Sequence, residues 1–377
     1  MIFILNSYCS YNKMTIYALS SGPGISGIAV IRVSGLNTKK VLENITFLPL
    51  PKPKVAALRK FKNPETNELI DEGIILWFPS PESYTGEDMA EFHVHGSKAV
   101  VDAMQSSISK IDGCRLADPG EFTKLAFQNG KINLLKAESI SDLISSETEI
   151  QRQQAIKIMS GKSSDKFNSL RERLLKILSN IEAKIDFPEE DLPKNILKNI
   201  HSEAQSIRKE IENILNDQKV GERIREGFKI AIVGPTNAGK SSLLNYLSKR
   251  DIAIVSEIAG TTRDVIEAHL NLDGYPVIIS DTAGIRDSKN EIEKKGIKLA
   301  LEKAENADLN IFVMEPKSVD FSHFLSNFRT KKTIIVINKM DLGVEFISNK
   351  INKYVSIQIS IKEEKNLDKL IDLIKEN

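Results

Sequence analysis

The stretch FKIAIVGPTNAGKSS, Phe228 to Ser242, combines the residue types that hold a polyphosphate. Gly234 and Gly239 let backbone N–H groups turn toward phosphate oxygens, and a helix starting near Ser241 adds its positive end. Lys240 offers a mobile charge for β- and γ-phosphates, and the Ser241 hydroxyl suits Mg²⁺. Asn237, Ala238 and Ser242 lie in or beside the same G-x-x-x-x-G-K-S loop.

Further motifs follow in the order a guanine nucleotide site requires. Asp281-Thr282-Ala283-Gly284 offers a carboxylate that can hold Mg²⁺ through water and a Gly284 N–H that can sense the γ-phosphate. Upstream, Gly260-Thr261-Thr262-Arg263-Asp264 places the Thr262 hydroxyl where a switch loop would complete the Mg²⁺ shell. Asn338-Lys339-Met340-Asp341 fits N-K-x-D, whose Asp accepts from the guanine N1–H and 2-amino group. Adenine lacks both donors, so this carboxylate selects GTP over ATP. Ser360-Ile361-Lys362 follows the last strand as a loop to cover the base.

The hydrolytic device is less direct. After D-T-A-G stands Ile285, where a Ras-like protein carries a water-orienting Gln, and isoleucine cannot orient water. Two candidates remain. The Asn237 side-chain oxygen is placed to help hold a monovalent cation beside the phosphates, and Glu293 follows the switch within S-K-N-E-I-E-K-K-G. On the residues alone Glu293 reads more readily as one of several solvated carboxylates on a helix.

The elements that must carry these residues are legible. Ile230 to Val233 reads as a buried strand and SSLLNYLSK as the helix after it. VIEAHLNL (265–272) turns at Asp273-Gly274 into YPVIISD (275–281), a tight hairpin. LNIFVME (309–315), TIIVINKMD (333–341) and YVSIQIS supply further strands. Residues 228–377 are therefore expected to form a P-loop α/β domain.

Residues 14–118 alternate short β-like runs (TIYAL, GIAVIRVSG, EGIILWFPS, EFHVH) with helical stretches at 37–44 and 97–110, predicting a compact α+β domain. Pro81 to Gly96 crowds carboxylates, His93, His95, Tyr84 and Thr85 together. A metal reading of the two histidines lacks a second ligand cluster. Glu91 with Arg32 on another strand either brackets a polar ligand or forms a surface ion pair.

From 119 to 227 the periodicity is helical. Pro119-Gly120 precedes a helix start, apolar spacings run on to Gly161, and stripes at Leu170–Ile185 and Ile207–Leu215 complete three long amphipathic helices. Their apolar faces need a partner from this chain or another subunit.

The chain has 377 residues, with 52 basic against 51 acidic, so it presents no overall basic field for nucleic acid. Two cysteines, Cys9 and Cys114, fit a reducing cytosol rather than a disulfide framework. The apolar run within residues 1–13 is too short for a signal peptide, and the pattern restarting at Met14 marks 1–13 as an extension. The expectation is a cytoplasmic protein without membrane spans.

On these residues the chain resembles the TrmE/MnmE family of tRNA-modifying GTPases. The resemblance spans 14–377, through IYALSSGPGISGIAVIRVSG, SYTGEDMAEFHVHG, PGEFTKLAFQNGKINLLKAESISDLI, FPEED, GTTRD and DTAG. It implies a folate-binding N-terminal domain that dimerises, a helical domain, and a Ras-like G domain inserted into the helical part. It also implies an FAD- and NADH-using partner, GidA/MnmG, in a heterotetramer that modifies C5 of the tRNA wobble uridine, position 34.

Position by position, the resemblance implies nucleotide contacts from Asn237 to Ser242, from Ser256, Glu257, Ile258, Ala259, Gly260, Thr261 and Thr262, from Asp281 to Gly284, and from Asn338, Lys339, Asp341, Ser360, Ile361 and Lys362. It implies Mg²⁺ on Ser241 and Thr262, potassium among Asn237, Ser256, Ile258 and Thr261, and Glu293 as a catalytic carboxylate beside Lys240 and Gly284. A formyl- or methylene-tetrahydrofolate would engage Arg32, Glu91 and Lys131.

Several departures stand out. The P-loop has Thr236 where the family usually has Pro before the Asn; Ile25-Ser26 replaces an Arg-Gly pair; Ile361 replaces a small Ala. The sequence ends at Asn377 without the family's returning helices and Cys-x-Gly-Lys tail. These departures predict exposed apolar surface on a weakened helical domain. They raise a second reading, a truncated dimeric switch that hydrolyses GTP without supporting tRNA modification. A ribosome-assembly GTPase of the Era or Der kind is disfavoured, because no segment resembles an RNA-binding domain.

Overall fold

The computed structural model describes residues 14–186, 196–216, 220–235, 237–249, 253–254, 266–281, 302–316, 332–343 and 354–377. The chain forms two compact units, Met1–Glu138 and Ser139–Asn377.

In the first unit, strands β1 (Thr15–Leu19), β2 (Ser26–Ser34), β3 (Ala57–Lys62), β4 (Leu69–Phe78), β5 (Met89–Gly96) and β6 (Cys114–Leu116) form one sheet in the order β3-β4-β5-β2-β1-β6. Period-two alternation sends Ala29, Ile31 and Val33 of β2, with Ala90, Phe92 and Val94 of β5, into the core. There they meet α1 (Thr38–Thr46) through Val41, Leu42 and Ile45, and α2 (Lys98–Ser109) through Met104 and Ile108. The Ser97 hydroxyl caps α2 by accepting from Val100 N at 3.2 Å. The same alternation turns Arg32 and Glu91 to the other face, directly opposite each other in the antiparallel β2–β5 register.

The periodicity change at 118 does not end this unit. Helix α3 (Glu121–Gln128) begins after Gly120, which has φ +76°, and is tied back to the 81–87 loop. Tyr84 Oη lies 3.0 Å from Thr123 Oγ1, and Asn129 Nδ2 donates to Thr85 O at 2.7 Å.

The second unit opens with a run of helices. Helix α4 (Leu134–Ile144) straddles the boundary between the units and is followed by α5 (Glu149–Met159), α6 (Lys162–Asp186), α7 (Ile196–Leu215) and α8 (Val220–Glu226). The apolar periodicity up to Gly161 is therefore broken into two helices. The break lies where Thr148 forms a capping box with Gln151, satisfying backbone donors that a continuous helix would have used internally. Leu170 and Ile207 are buried, while Leu174, Leu178, Ile181, Ile185 and Leu215 of the same stripes are exposed. Arg173 of α6 pairs with Glu203 at 2.6 Å and Glu210 at 2.8 Å on α7.

The rest of this unit is a seven-stranded sheet. Strands β7 (Phe228–Val233), β8 (Ala253–Ile254), β9 (Ile266–Leu272), β10 (Tyr275–Asp281), β11 (Leu309–Met314), β12 (Thr333–Ile337) and β13 (Val355–Gln358) run in the order β13-β12-β11-β7-β10-β9-β8. From β13 to β10 the pairings are parallel, and β9 joins β10 antiparallel. The hairpin turns at Asp273 and Gly274 (φ +52° and +93°), as its Asp-Gly signal predicts. Every residue of β11 and β12 is buried, as strands covered on both faces require. Helices α9 (Lys240–Lys249) and α10 (Leu367–Glu376) cover one face through Leu243, Leu244, Leu247, Leu370 and Ile374.

Candidate functional site

At the carboxyl end of β7 the chain must turn sharply into α9, and the glycines at that turn are fixed by their neighbours. Gly234 has φ +146°, and a Cβ there would meet Val313 O at 2.0 Å. Gly239 has φ +99°, and its Cβ would meet Asn338 Nδ2 at 2.2 Å. Any side chain at either place collides with the neighbouring segment, so both positions require glycine. Directly after Gly239, Lys240 folds back into the loop and is largely buried. Its ammonium donates to Gly234 O at 2.9 Å and Pro235 O at 2.8 Å. Ser241 and Ser242 stay exposed at the first turn of α9.

The segment after β12 is knitted to that loop. Buried Asn338 donates from Nδ2 to Ala238 O at 3.0 Å, while its Oδ1 accepts from Ile361 N at 3.3 Å. Its backbone N donates to Met314 O at 2.8 Å. Lys339 then takes a left-handed backbone (φ +63°) and forms an ion pair with Glu315, the residue after β11.

Asp341 follows on a short 3₁₀ turn, Met340–Leu342. Buried Ser360 donates its hydroxyl to Asp341 Oδ1 at 2.7 Å, which holds that carboxyl below the usual carboxylate range. An ionised, oriented carboxylate of this kind can accept two parallel N–H bonds from a ligand edge. The result is a cleft floor made from the ends of β7, β11, β12 and β13, the edge where open α/β sheets bind ligands.

In the first unit, Arg32 donates from Nε at 3.0 Å and from Nη2 at 2.8 Å to Glu91 Oε1. Its guanidinium lies 5.6 Å from the ring centroids of both Tyr84 and Phe122. The second carboxylate oxygen of Glu91 lies 3.6 Å from His93 Nε2, an atom that is buried without a hydrogen-bond partner. Lys131 donates to Pro81 O at 2.8 Å and packs its stem near Gly86. Behind that loop, burial raises the Glu87 carboxyl above its ordinary range while the Ser34 hydroxyl donates to it at 3.2 Å. His93 and His95 join no group of three metal-ligating side chains among the described residues.

Comparison with known proteins gives the family. A description of the GTP-binding protein TrmE N-terminus matches residues 15–131, and one of the MnmE helical domain matches 134–377. The curated tRNA modification GTPase MnmE of Pelagibacter ubique (strain HTCC1062) is 72% identical over 341 residues, covering 90% of this chain and 77% of that protein. The protein of the same name from Rickettsia bellii (strain OSU 85-389) is 46% identical over 366 residues, covering 96% and 82%. Among solved structures, an Aquifex aeolicus Era variant bound to GDP·AlF4⁻ is 28% identical over 39% of this chain and 56% of that one, with a TM-score of 0.30. The chain belongs to the TrmE/MnmE family.

For this family member, the structure brings together Ala238, Gly239, Lys240, Asn338, Asp341, Ser360 and Ile361 at the carboxyl edge of the second sheet, and pairs Arg32 with Glu91 on the first. Asn237 stands exposed at the P-loop with φ +63°. The strand carrying Asp281 pairs through that residue with Ile232 of β7. Ser256, Glu257, Ile258, Ala259, Gly260, Thr261, Thr262, Thr282, Ala283, Gly284 and Glu293 lie outside the described residues. Sequence reading missed Tyr84 and Phe122 as the aromatic neighbours of Arg32, and Glu315 as the partner of Lys339. Among the described residues no helix is long and apolar enough to cross a membrane.

Proposed function

We propose that this protein is a cytoplasmic, potassium-stimulated GTPase of tRNA modification. It would act as a homodimer with an FAD-dependent GidA/MnmG partner to install a (carboxymethyl)aminomethyl-type group at C5 of wobble uridine 34. The observation that carries the GTPase reading is the Asn338 amide joining an N-K-x-D carboxylate segment to a glycine-enforced phosphate loop. Membership of a family whose relatives are named tRNA modification GTPases supports the rest.

In this reading Asp341 accepts from the guanine edge, Ser360 and Ile361 line the base, and Lys240 leaves its two carbonyl partners for the phosphates. The exposed Ser241 hydroxyl at the start of α9 is free to join Thr262 on Mg²⁺, whose role is to neutralise charge on the β- and γ-phosphates. Asn237, with Ser256, Ile258 and Thr261, would hold potassium. Glu293 would position water, since Ile285 cannot. Arg32, Glu91 and Lys131 would take a tetrahydrofolate derivative; a cation flanked by two aromatic rings and paired to a carboxylate fits a flat, polar heterocycle with an acidic tail.

Two measurements test this. GTP turnover in potassium should exceed turnover in sodium at equal ionic strength by at least about tenfold; equal rates would remove the cation from the mechanism. Nucleoside mass spectrometry of tRNA from cells whose only copy is this chain should show the modified wobble uridine. Unmodified uridine with GTP turnover intact would establish instead a GTP switch outside the modification step.

A further inference from the structure

Glu315 carries none of the nucleotide-binding motifs, yet its position is tightly specified. Met314 ends β11 and Pro316 follows Glu315; a proline confines the residue before it to extended backbone, so the strand's alternation carries on one step further. Leu309, Ile311 and Val313 share the core with Ala238 and Leu243 of the phosphate loop and α9, whereas Phe312 and Met314 face the opposite core. Glu315 therefore falls on the phosphate-loop side, at the carboxyl edge of the sheet. Two residues earlier, Val313 O is the atom that makes a side chain at Gly234 impossible.

Its carboxylate pairs with the Lys339 ammonium, and both side chains are about two-thirds buried, at 31% and 35% exposure. The backbone around Lys339 is already pinned. Asn338 N donates to Met314 O at 2.8 Å, Met340 N donates to Ile359 O at 3.1 Å, and Lys339 itself is left-handed. The side chain is the one part of this residue that the backbone does not fix, and Glu315 is the group that fixes it.

We infer that Glu315 is a positioning residue of the nucleotide site, holding Lys339 so that its aliphatic stem spans the ends of β11 and β12 as a wall of the guanine cleft. The pairing has a second effect. A bare carboxylate at the rim of a phosphate site repels the incoming nucleotide, and the Lys339 ammonium cancels that charge. The inference rests on the assignment of guanine reading to Asp341, and its test separates the two.

The experiment measures dissociation of a fluorescent GDP analogue from the full chain by stopped flow, with steady-state GTP turnover alongside. Glu315→Gln should speed release about tenfold and raise KM while kcat stays within about twofold. Lys339→Met should weaken binding further, because it strands the carboxylate, and adding Glu315→Gln to it should restore part of the loss. Glu315→Asp keeps the charge and should hold release slower than Glu315→Gln.

Unchanged release in Glu315→Gln, additive effects in the double variant, or equal rates for the Asp and Gln variants would each overturn the inference. A lower melting temperature with unaltered release would do the same. Asp341→Asn run in parallel distinguishes the levels: if it leaves release unaltered the guanine assignment itself fails, whereas fast release there with a silent Glu315→Gln removes only the role given to Glu315.

Discussion

Asn338 Nδ2 lies 3.0 Å from Ala238 O, so one buried amide ties the base-reading loop to the phosphate loop across a separation of 100 positions. The same amide accepts from Ile361 N, which brings in the third loop of the cleft. Three segments that arrive at the sheet edge from distant parts of the chain thus share one side chain. Their relative placement is fixed by these protein–protein hydrogen bonds.

Removing that amide is expected to disturb both stability and binding. Asn338→Ala leaves the buried Ala238 O and the half-buried Ile361 N without these partners, a cost of about 1–3 kcal/mol. Urea denaturation should show the loss as a lower midpoint with an unchanged slope, and GTP titration should show weaker binding. A variant as stable as the parent would mean that water replaces the amide.

Base choice should follow the hydrogen-bond pattern of Asp341. In the proposed role the carboxylate accepts from two guanine donors; an amide in its place offers one donor and one acceptor, which matches the 2-oxo edge of xanthine. Asp341→Asn should therefore lower GTP affinity by at least about 100-fold, in the range of a lost charge-assisted bidentate contact, while raising affinity for xanthosine triphosphate. Competition binding with the two nucleotides reads both effects, and parallel losses for both would contradict this role for Asp341.

The Ser360 hydroxyl gives the same carboxylate a pH signature. Its hydrogen bond stabilises the ionised form, so the Asp341 pKa in the folded protein is depressed. The sign follows: the interaction is present at neutral pH and above, and it is lost as pH falls through the depressed value. Ser360→Ala should move the acid limb of GTP binding to higher pH and leave affinity at pH 8 far less affected. Affinity measured from pH 3 upward checks this, and an acid limb that stays in place would exclude Ser360 as the cause of the depression.

Much of this architecture was legible in the sequence, for identifiable reasons. The switch from a β-branched run to helical spacing at Gly234 marks the phosphate loop, because a glycine-rich turn between strand and helix has few other uses. Asp273-Gly274 marks the hairpin, because few other pairs tolerate two left-handed residues in succession. Strand β3, ALRKFK, went unread: its charges alternate with only one fully buried residue, Phe61, so no apolar run announces it. The break before α5 also went unread, although Thr148-Glu149-Ile150-Gln151 carries the capping-box spacing that marks a helix start. The pairing of Arg32 with Glu91, expected from the sequence as an ion pair or a ligand bracket, is realised by the β2–β5 register. That of Lys339 with Glu315 depends on strand order, which no local spacing pattern encodes.

The two long helices of the second unit supply a last test, because one stripe contains both kinds of leucine. Leu170 is 5% exposed, whereas Leu178, further along α6, is 50% exposed. Leu170→Ala should cost about 2–5 kcal/mol, the range for emptying a packed core position. Leu178→Glu should change stability by no more than about 0.5 kcal/mol in this chain, because it removes little from the folded packing. The exposed run Leu174, Leu178, Ile181 and Ile185 should also bind an environment-sensitive apolar dye, and Leu178→Glu should reduce that signal without lowering the melting temperature. A large loss of stability on Leu178→Glu would mean that this face is covered in solution, by a second copy or by another part of the protein.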